Sequence, residues 1–179
     1  AIARNIGVKK ARGDYIFFLD SDVLLDINYA KNILHIFSEE QSVIAAQGID
    51  LNLQKLYEKK KKELRFSTIL FLEKIFHYSW FFKKGKPTVY SSLAISHPDP
   101  PYNFNLESEW ISTCAGFFKK SIFERFEFCE EFITYSNNEY IFLSNSLYKA
   151  GEGKLIYTSS AKYEGIITNK GRLANKDLQ

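Results

Sequence analysis

The chain has 179 residues, 45% hydrophobic and 25% charged, with a net charge of +3. That length supports one domain with its own core, and the charge is too small to argue for a nucleic-acid partner. Two separated cysteines, Cys114 and Cys129, exclude a disulfide framework, and three scattered histidines, His35, His77 and His97, give no zinc-ligand spacing.

Residues 1–11 read as the end of a helix, closed by Arg12-Gly13-Asp14 as C-cap and turn. No methionine occurs anywhere and the helical pattern is already under way at Ala1. This predicts a missing N-terminal segment or a domain cut from a longer parent. The aromatic and β-branched run Tyr15-Ile16-Phe17-Phe18-Leu19 reads as a buried strand that ends in Asp20-Ser21-Asp22. In an open α/β sheet, ligands bind at such strand ends. If the chain stays extended, Asp20 and Asp22 share one side and face one cation or one polyphosphate. Carboxylate oxygens suit Mg²⁺ or Mn²⁺, which bridge to substrate phosphates.

A helix follows over residues 28–39, with Ile33, Leu34, Ile36 and Phe37 on its apolar face. A strand over residues 43–48 completes a pattern that predicts a parallel βαβ unit. Residues 53–105 read as a helical and loop insertion. It carries four consecutive lysines, 59–62, and an apolar stretch, 66–82, too short and too charged for a membrane span. Residues 59–86 pack on the domain, rest on an anionic membrane surface or form an oligomer contact. The breaker His97-Pro98-Asp99-Pro100-Pro101 marks a loop.

Beyond it lie an apolar run at 109–118 and a short helix at 119–126. A further helix from Glu139 to about Ala150 is capped by Asn137 or Asn138 and stopped by Gly151. Short strands follow at 154–158 and 161–163. The domain is expected to occupy residues 1–167, with a polar tail at 168–179.

Three blocks now stand in one order: Ala3-Arg4-Asn5-Ile6-Gly7 before Asp20-Ser21-Asp22, then Cys114-Ala115-Gly116-Phe117-Phe118, then Glu139-Tyr140 running into Leu147-Tyr148-Lys149-Ala150-Gly151. Together they resemble the family-2 glycosyltransferases of the GT-A fold. The resemblance implies a three-layer α/β/α sandwich with a mixed sheet, here lacking the first βα elements that hold the nucleobase. It implies a nucleotide-diphospho-sugar donor and inverting transfer to the hydroxyl of a glycan or lipid-linked glycan acceptor. Arg4, Asn5, Gly7, Asp20 and Asp22 match donor-binding positions, with Asp22 and Asp20 toward the metal. Glu109 and Trp110 match an acceptor-side step, where Trp110 either stacks on a sugar or packs in the core. Glu139 falls on the Glu of a Glu-Asp pair that supplies the general base, and Tyr140 replaces the Asp. Cell-envelope polysaccharide is the product such relatives imply, made in the cytoplasm at the inner membrane face.

The rival from another reaction class is a Mg²⁺-dependent haloacid-dehalogenase-like phosphatase, which also carries Asp-x-Asp after an apolar strand. Leu24 stands where that pattern has Thr or Val, and Arg4-Asn5-x-Gly7 has no role in it. The non-enzyme alternative is a catalytically impaired, glycan-binding relative, motivated by Tyr140.

Overall fold

The computed structural model describes residues 1–52, 54–55, 87–89, 95, 105–132 and 138–166. The lysine-rich and apolar stretches of the insertion, most of the 87–105 loop, Asn137 and the tail lie outside the described residues.

The elements run α1 (Ile2–Lys10), β1 (Tyr15–Leu19), β2 (Val23–Leu25), α2 (Tyr29–Glu39), β3 (Val43–Asp50), β4 (Asn105–Ser108) and β5 (Ala115–Lys119). A single-turn 3-10 helix at Lys120–Glu124 precedes α3 (Asn138–Lys149) and β6 (Lys154–Gly165). Among the described residues, the strands form one six-stranded mixed sheet of order β1-β5-β3-β6-β2, with β4 also pairing β6.

The pleat explains the three layers, because neighbouring residues of one strand face opposite sides. Phe17, Phe117 and Ile156 pack with Tyr29, Ile33, Ile36 and Phe37 of α2 on one side. Phe18, Phe118 and Leu155 pack with Leu143 and Leu147 of α3 on the other. Helix α2 uses Tyr29, Ile33, Ile36 and Phe37 as its buried stripe, at helical spacing. Leu34, expected on that face, is 40% exposed because it lies a further 100° or so around the helix from Ile33.

Three expectations need correction. First, β1 and β3 do not pair as a simple βαβ unit. Strand β5 lies between them, antiparallel to both, so they run in the same direction without sharing hydrogen bonds. Second, the chain after α1 turns through an extended Ala11, whose backbone N–H bonds back to Gly7 and Val8. Gly13 is not a left-handed cap; Gly151, at φ 67°, is, and it ends α3 as expected. Third, the two short strands at 154–158 and 161–163 are one strand, β6. Its pairing with β3 jumps from Thr158 to Lys162 at a bulge. The Thr158 hydroxyl accepts the Ser160 N–H at 3.1 Å, so the bulged backbone keeps a partner and the strand continues.

The bulge lets β6 serve two neighbourhoods. Its first half pairs with β4 and its second half with β2. A flat sheet of this order would hold β1 and β2 about 19 Å apart, at about 4.8 Å per strand. Yet only Asp20, Ser21 and Asp22 join them, a link that reaches at most about 14 Å from Leu19 to Val23. The sheet therefore curls at this end, and the Asp-x-Asp segment closes the gap between its two outer strands.

Candidate active site

The two aspartates sit on a pinned turn. Asp20 donates its backbone N–H to the Cys114 carbonyl at 2.9 Å, extending the β1·β5 ladder by one residue. The Asp22 carbonyl accepts the Ile166 N–H at 2.7 Å, which ties the other end to β6. The strand stops at Leu19, and Ser21-Asp22 form a turn. The extended geometry expected for the two carboxylates is thus replaced by a turn, because the chain must cross from β1 to β2 here. Asp20 is half-buried and Asp22 exposed.

Beside this turn, burial keeps a thiol and two phenols protonated. Burial pushes the Cys114 thiol up from its ordinary value, and the Asp20 and Asp50 carboxylates push in the same direction against its hydrogen bonds. Cys114 is therefore a thiol at neutral pH rather than a thiolate ligand or nucleophile. It donates toward the Tyr163 hydroxyl at 3.4 Å and accepts from the Ser112 hydroxyl at 2.9 Å. Burial likewise raises Tyr163 and Tyr29. The Tyr29 hydroxyl donates to the Ala115 carbonyl at 2.5 Å and accepts the Gly48 N–H at 2.8 Å, which bridges β5 and β3.

These shifts fix a pH response. In the unfolded chain the thiol loses its proton near 9.0 and the phenols near 10.0. The folded chain holds those protons to higher pH, so it binds more protons than the unfolded chain above these values. The stability they contribute is complete below about pH 9 and is lost as pH rises. The urea midpoint is expected to hold from pH 7 to 8.5 and fall above pH 9, more steeply above 10. A midpoint unchanged to pH 11 would contradict the assignment.

No group of three or more His, Cys, Asp or Glu side chains is gathered to hold a metal among the described residues. The two carboxylates expected to face a cation, Asp20 and Asp22, lie on one short turn. One or two carboxylates, with water and substrate phosphates completing the shell, is the usual manner of Mg²⁺ binding. The residues present fit a cation that arrives with a diphosphate.

The α1 residues divide by role. Arg4 pairs with Glu139. The Arg4 guanidinium also lies over the Phe128 ring, 5.7 Å from its centroid. Asn5 is buried. Its side-chain carbonyl accepts the Phe128 N–H at 2.9 Å, and its amide donates to the Phe128 carbonyl and to Glu130, each at 2.9 Å. Both ends of the Asn5 amide, expected at the donor, clamp the segment after the 3-10 helix.

Gly7 has ordinary helical geometry, and an added Cβ would meet nothing within 4 Å. The chain's own packing does not require a glycine there. Gly7→Ala is expected to stabilise the fold by about 1 kcal/mol, the difference in helix propensity. Thermal unfolding reads this, and a loss of stability would show that the helix is constrained in some other way.

Glu139 sits in the first turn of α3 and is 7% exposed. Tyr140 packs against Trp110, with ring centroids 6.4 Å apart. Trp110 is 2% exposed and also neighbours Tyr157 at 6.5 Å. Of the two readings of Trp110, the structure shows packing, because the indole has almost no surface left on which a sugar could stack. Tyr140 thus fills core space where the resemblance implied an acid. Glu109 is half-buried, and its Oε2 accepts the Val89 N–H at 2.9 Å. That bond takes one oxygen of the expected acceptor contact. Sequence reasoning missed Phe128 and Glu130, which complete the Arg4-Asn5 neighbourhood from 123 or more positions away. No local pattern marks them.

The glycosyl transferase family 2 model matches residues 1–100, more than half of the chain. A protein described as "Putative glycosyltransferase EpsH" from Bacillus subtilis (strain 168) is 25% identical over 129 residues. That match covers 66% of this chain and 37% of the relative, so the chain spans well under half of the relative's length. Among solved structures, GalNAc-T7 with UDP, GalNAc and Mn²⁺ superposes with a TM-score of 0.61 at 13% identity, over 95% of this chain and 31% of that one. A197 from STIV matches with a TM-score of 0.48 at 15% identity, over 93% and 65% of the two chains. With its mixed sheet and flanking helices it has a GT-A α/β fold, and the chain belongs to glycosyl transferase family 2.

Proposed function

We propose that this chain carries the donor-diphosphate end and the general base of an inverting glycosyl-transfer site. The observation that carries the reading is the pinned Asp20-Ser21-Asp22 turn at the end of β1, inside the span that matches the family. The donor is a nucleotide-diphospho-sugar and the acceptor a glycan or lipid-linked glycan hydroxyl. The UDP and Mn²⁺ in the GalNAc-T7 structure support a nucleotide donor and a divalent ion for this fold.

In this reading Glu139 takes the proton of the acceptor hydroxyl as its oxygen attacks the anomeric carbon. The bond from that carbon to the β-phosphate oxygen breaks, and the nucleoside diphosphate leaves with the electron pair. Such base assistance is worth about 10²–10⁴-fold. Asp22, with Asp20, is the place for Mg²⁺ or Mn²⁺, and the chemistry a bound cation supplies is neutralisation of charge on the leaving diphosphate. The product is a cell-envelope polysaccharide or glycoconjugate, made in the cytoplasm at the inner membrane face. Among the described residues, no helix is long and apolar enough to cross a membrane. Peripheral contact through residues 59–86 is proposed on their lysine flanks alone.

A panel of UDP-, GDP- and dTDP-sugars with Mn²⁺ or Mg²⁺, read by release of nucleoside diphosphate, tests the reaction. Hydrolysis of phosphomonoesters with no sugar transfer would establish the phosphatase rival instead. Glycan binding with neither activity would establish the impaired relative. Asp22→Ala is expected to lower transfer about a hundredfold and to weaken Mn²⁺ binding in the presence of UDP, measured by calorimetry. Full activity with unchanged metal dependence would remove Asp22 from the metal site.

A further inference from the structure

The Arg4–Glu139 pair joins two residues that the donor-and-base reading assigns to separate tasks. Glu139 has a side chain only 9% exposed, and a carboxylate removed from water favours its neutral form unless a cation faces it. A neutral carboxylic acid does not accept a proton. Among the described residues, the cationic side chain paired with Glu139 is Arg4, from α1.

Arg4 is itself held. Its guanidinium has the Phe128 ring on one side and the Glu139 carboxylate as partner. The Phe128 backbone is fixed from the next residue along, through both ends of the Asn5 amide. Asn5 also reaches Glu130, so the segment under Arg4 is anchored at two residues. A guanidinium placed in this way is preorganised toward the carboxylate.

We propose that Arg4 is the positioning residue of the base: it acts through Glu139, holding it ionised and oriented in the first turn of α3, and its effect falls on the transfer step rather than on donor binding. The inference rests on the reading of Glu139 as base. The Asn5–Phe128 clamp is the support that keeps Arg4 in place, which gives the Arg4-Asn5 dipeptide one joint purpose.

The test is a double-variant cycle with Arg4→Gln, Glu139→Gln and the pair combined. Each is read by kcat for transfer and by calorimetric Kd for the nucleoside diphosphate with Mn²⁺. Arg4→Gln is expected to lower kcat about 10²-fold while Kd stays within about twofold. The double variant is expected to be no slower than Glu139→Gln alone, because residues acting as one unit are not additive. Arg4→Lys restores the charge and is expected to recover at least about tenfold of the lost kcat, short of native because lysine lacks the planar fork. A Kd weakened tenfold or more with kcat unchanged would overturn the proposal and make Arg4 a phosphate ligand. Additive losses in the double variant would overturn it as well. If Arg4→Gln does not fold, the same split of kcat against Kd in Arg4→Lys decides. Unchanged transfer in Glu139→Gln would instead refute the underlying reading of the base, so the two failures are distinct.

Discussion

Replacing Gly116 with alanine is expected to destabilise the protein by about 3 kcal/mol or more, at the upper end for overpacking a core. A Cβ at Gly116 would lie 2.1 Å from the Ser112 carbonyl, with Ile111 at 3.1 Å and Phe118 at 3.2 Å. The nearest of these is backbone and cannot rotate away. The Ser112 backbone is also fixed, because its N–H donates to the buried Gln47 side chain. The Ser112 hydroxyl accepts the Cys114 N–H at 3.1 Å, which closes the turn leading into β5. Moving Ser112 would therefore break bonds to β3 and to the Cys114 region that anchors Asp20. Urea unfolding should show a midpoint lower by about 1 to 2 M with an unchanged slope. A shift below about 0.3 M would mean that the turn at 111–114 yields easily. The contrast with Gly7 makes the point sharper, since one glycine is required by a backbone wall and the other meets nothing.

Glu139→Gln should combine a stability loss with a near-complete loss of transfer. The substitution keeps the side chain's size and removes its charge, leaving Arg4 facing a neutral amide. Breaking a buried ion pair from one side costs about 3–5 kcal/mol. The Arg4 side chain is 30% exposed, so water takes up part of its charge, and about 3 kcal/mol is expected. Transfer per folded molecule should fall roughly 10³-fold. Unfolding and steady-state transfer measured on the same preparation separate the two effects. Native-like transfer would remove Glu139 from the reaction, whereas native-like stability would show that the α1–α3 ion pair is not a latch.

What the sequence disclosed followed from local periodicity and spacing. The run from Tyr15 to Leu19, the stripe on α2 and the Gly151 stop are patterns within a dozen residues; the run is a strand, though only Ile16 of it is buried because it ends the sheet order, and Leu34 falls off the α2 stripe. The order of residues Arg4, Asp20 and Glu139 also pointed to the family without any knowledge of their contacts. The sheet order was not legible, because β5 enters between β1 and β3 from far along the chain and no local pattern encodes that choice. Nor was the fate of Asn5, Glu109 and Trp110. Each bears a side chain suited to ligand binding. Whether it meets ligand, backbone or core depends on partners at distant positions, such as Phe128 for Asn5. The joining of β6 across its bulge depended on one hydroxyl, that of Thr158, taking the place of a strand partner.

The placement of β5 has a consequence for how this protein is made. Strands β1 and β3 emerge early in synthesis but share no hydrogen bonds with each other. The strand that joins them begins at Ala115, about 65 residues after β3 ends. Until it arrives, Tyr15–Leu19 and Ala45–Gln47 lack their β5 partner. The Asn5–Phe128 clamp closes later still, across 123 positions. Such distant pairing gives a slow, late-committing fold whose early half is exposed to mispairing and capture by chaperones.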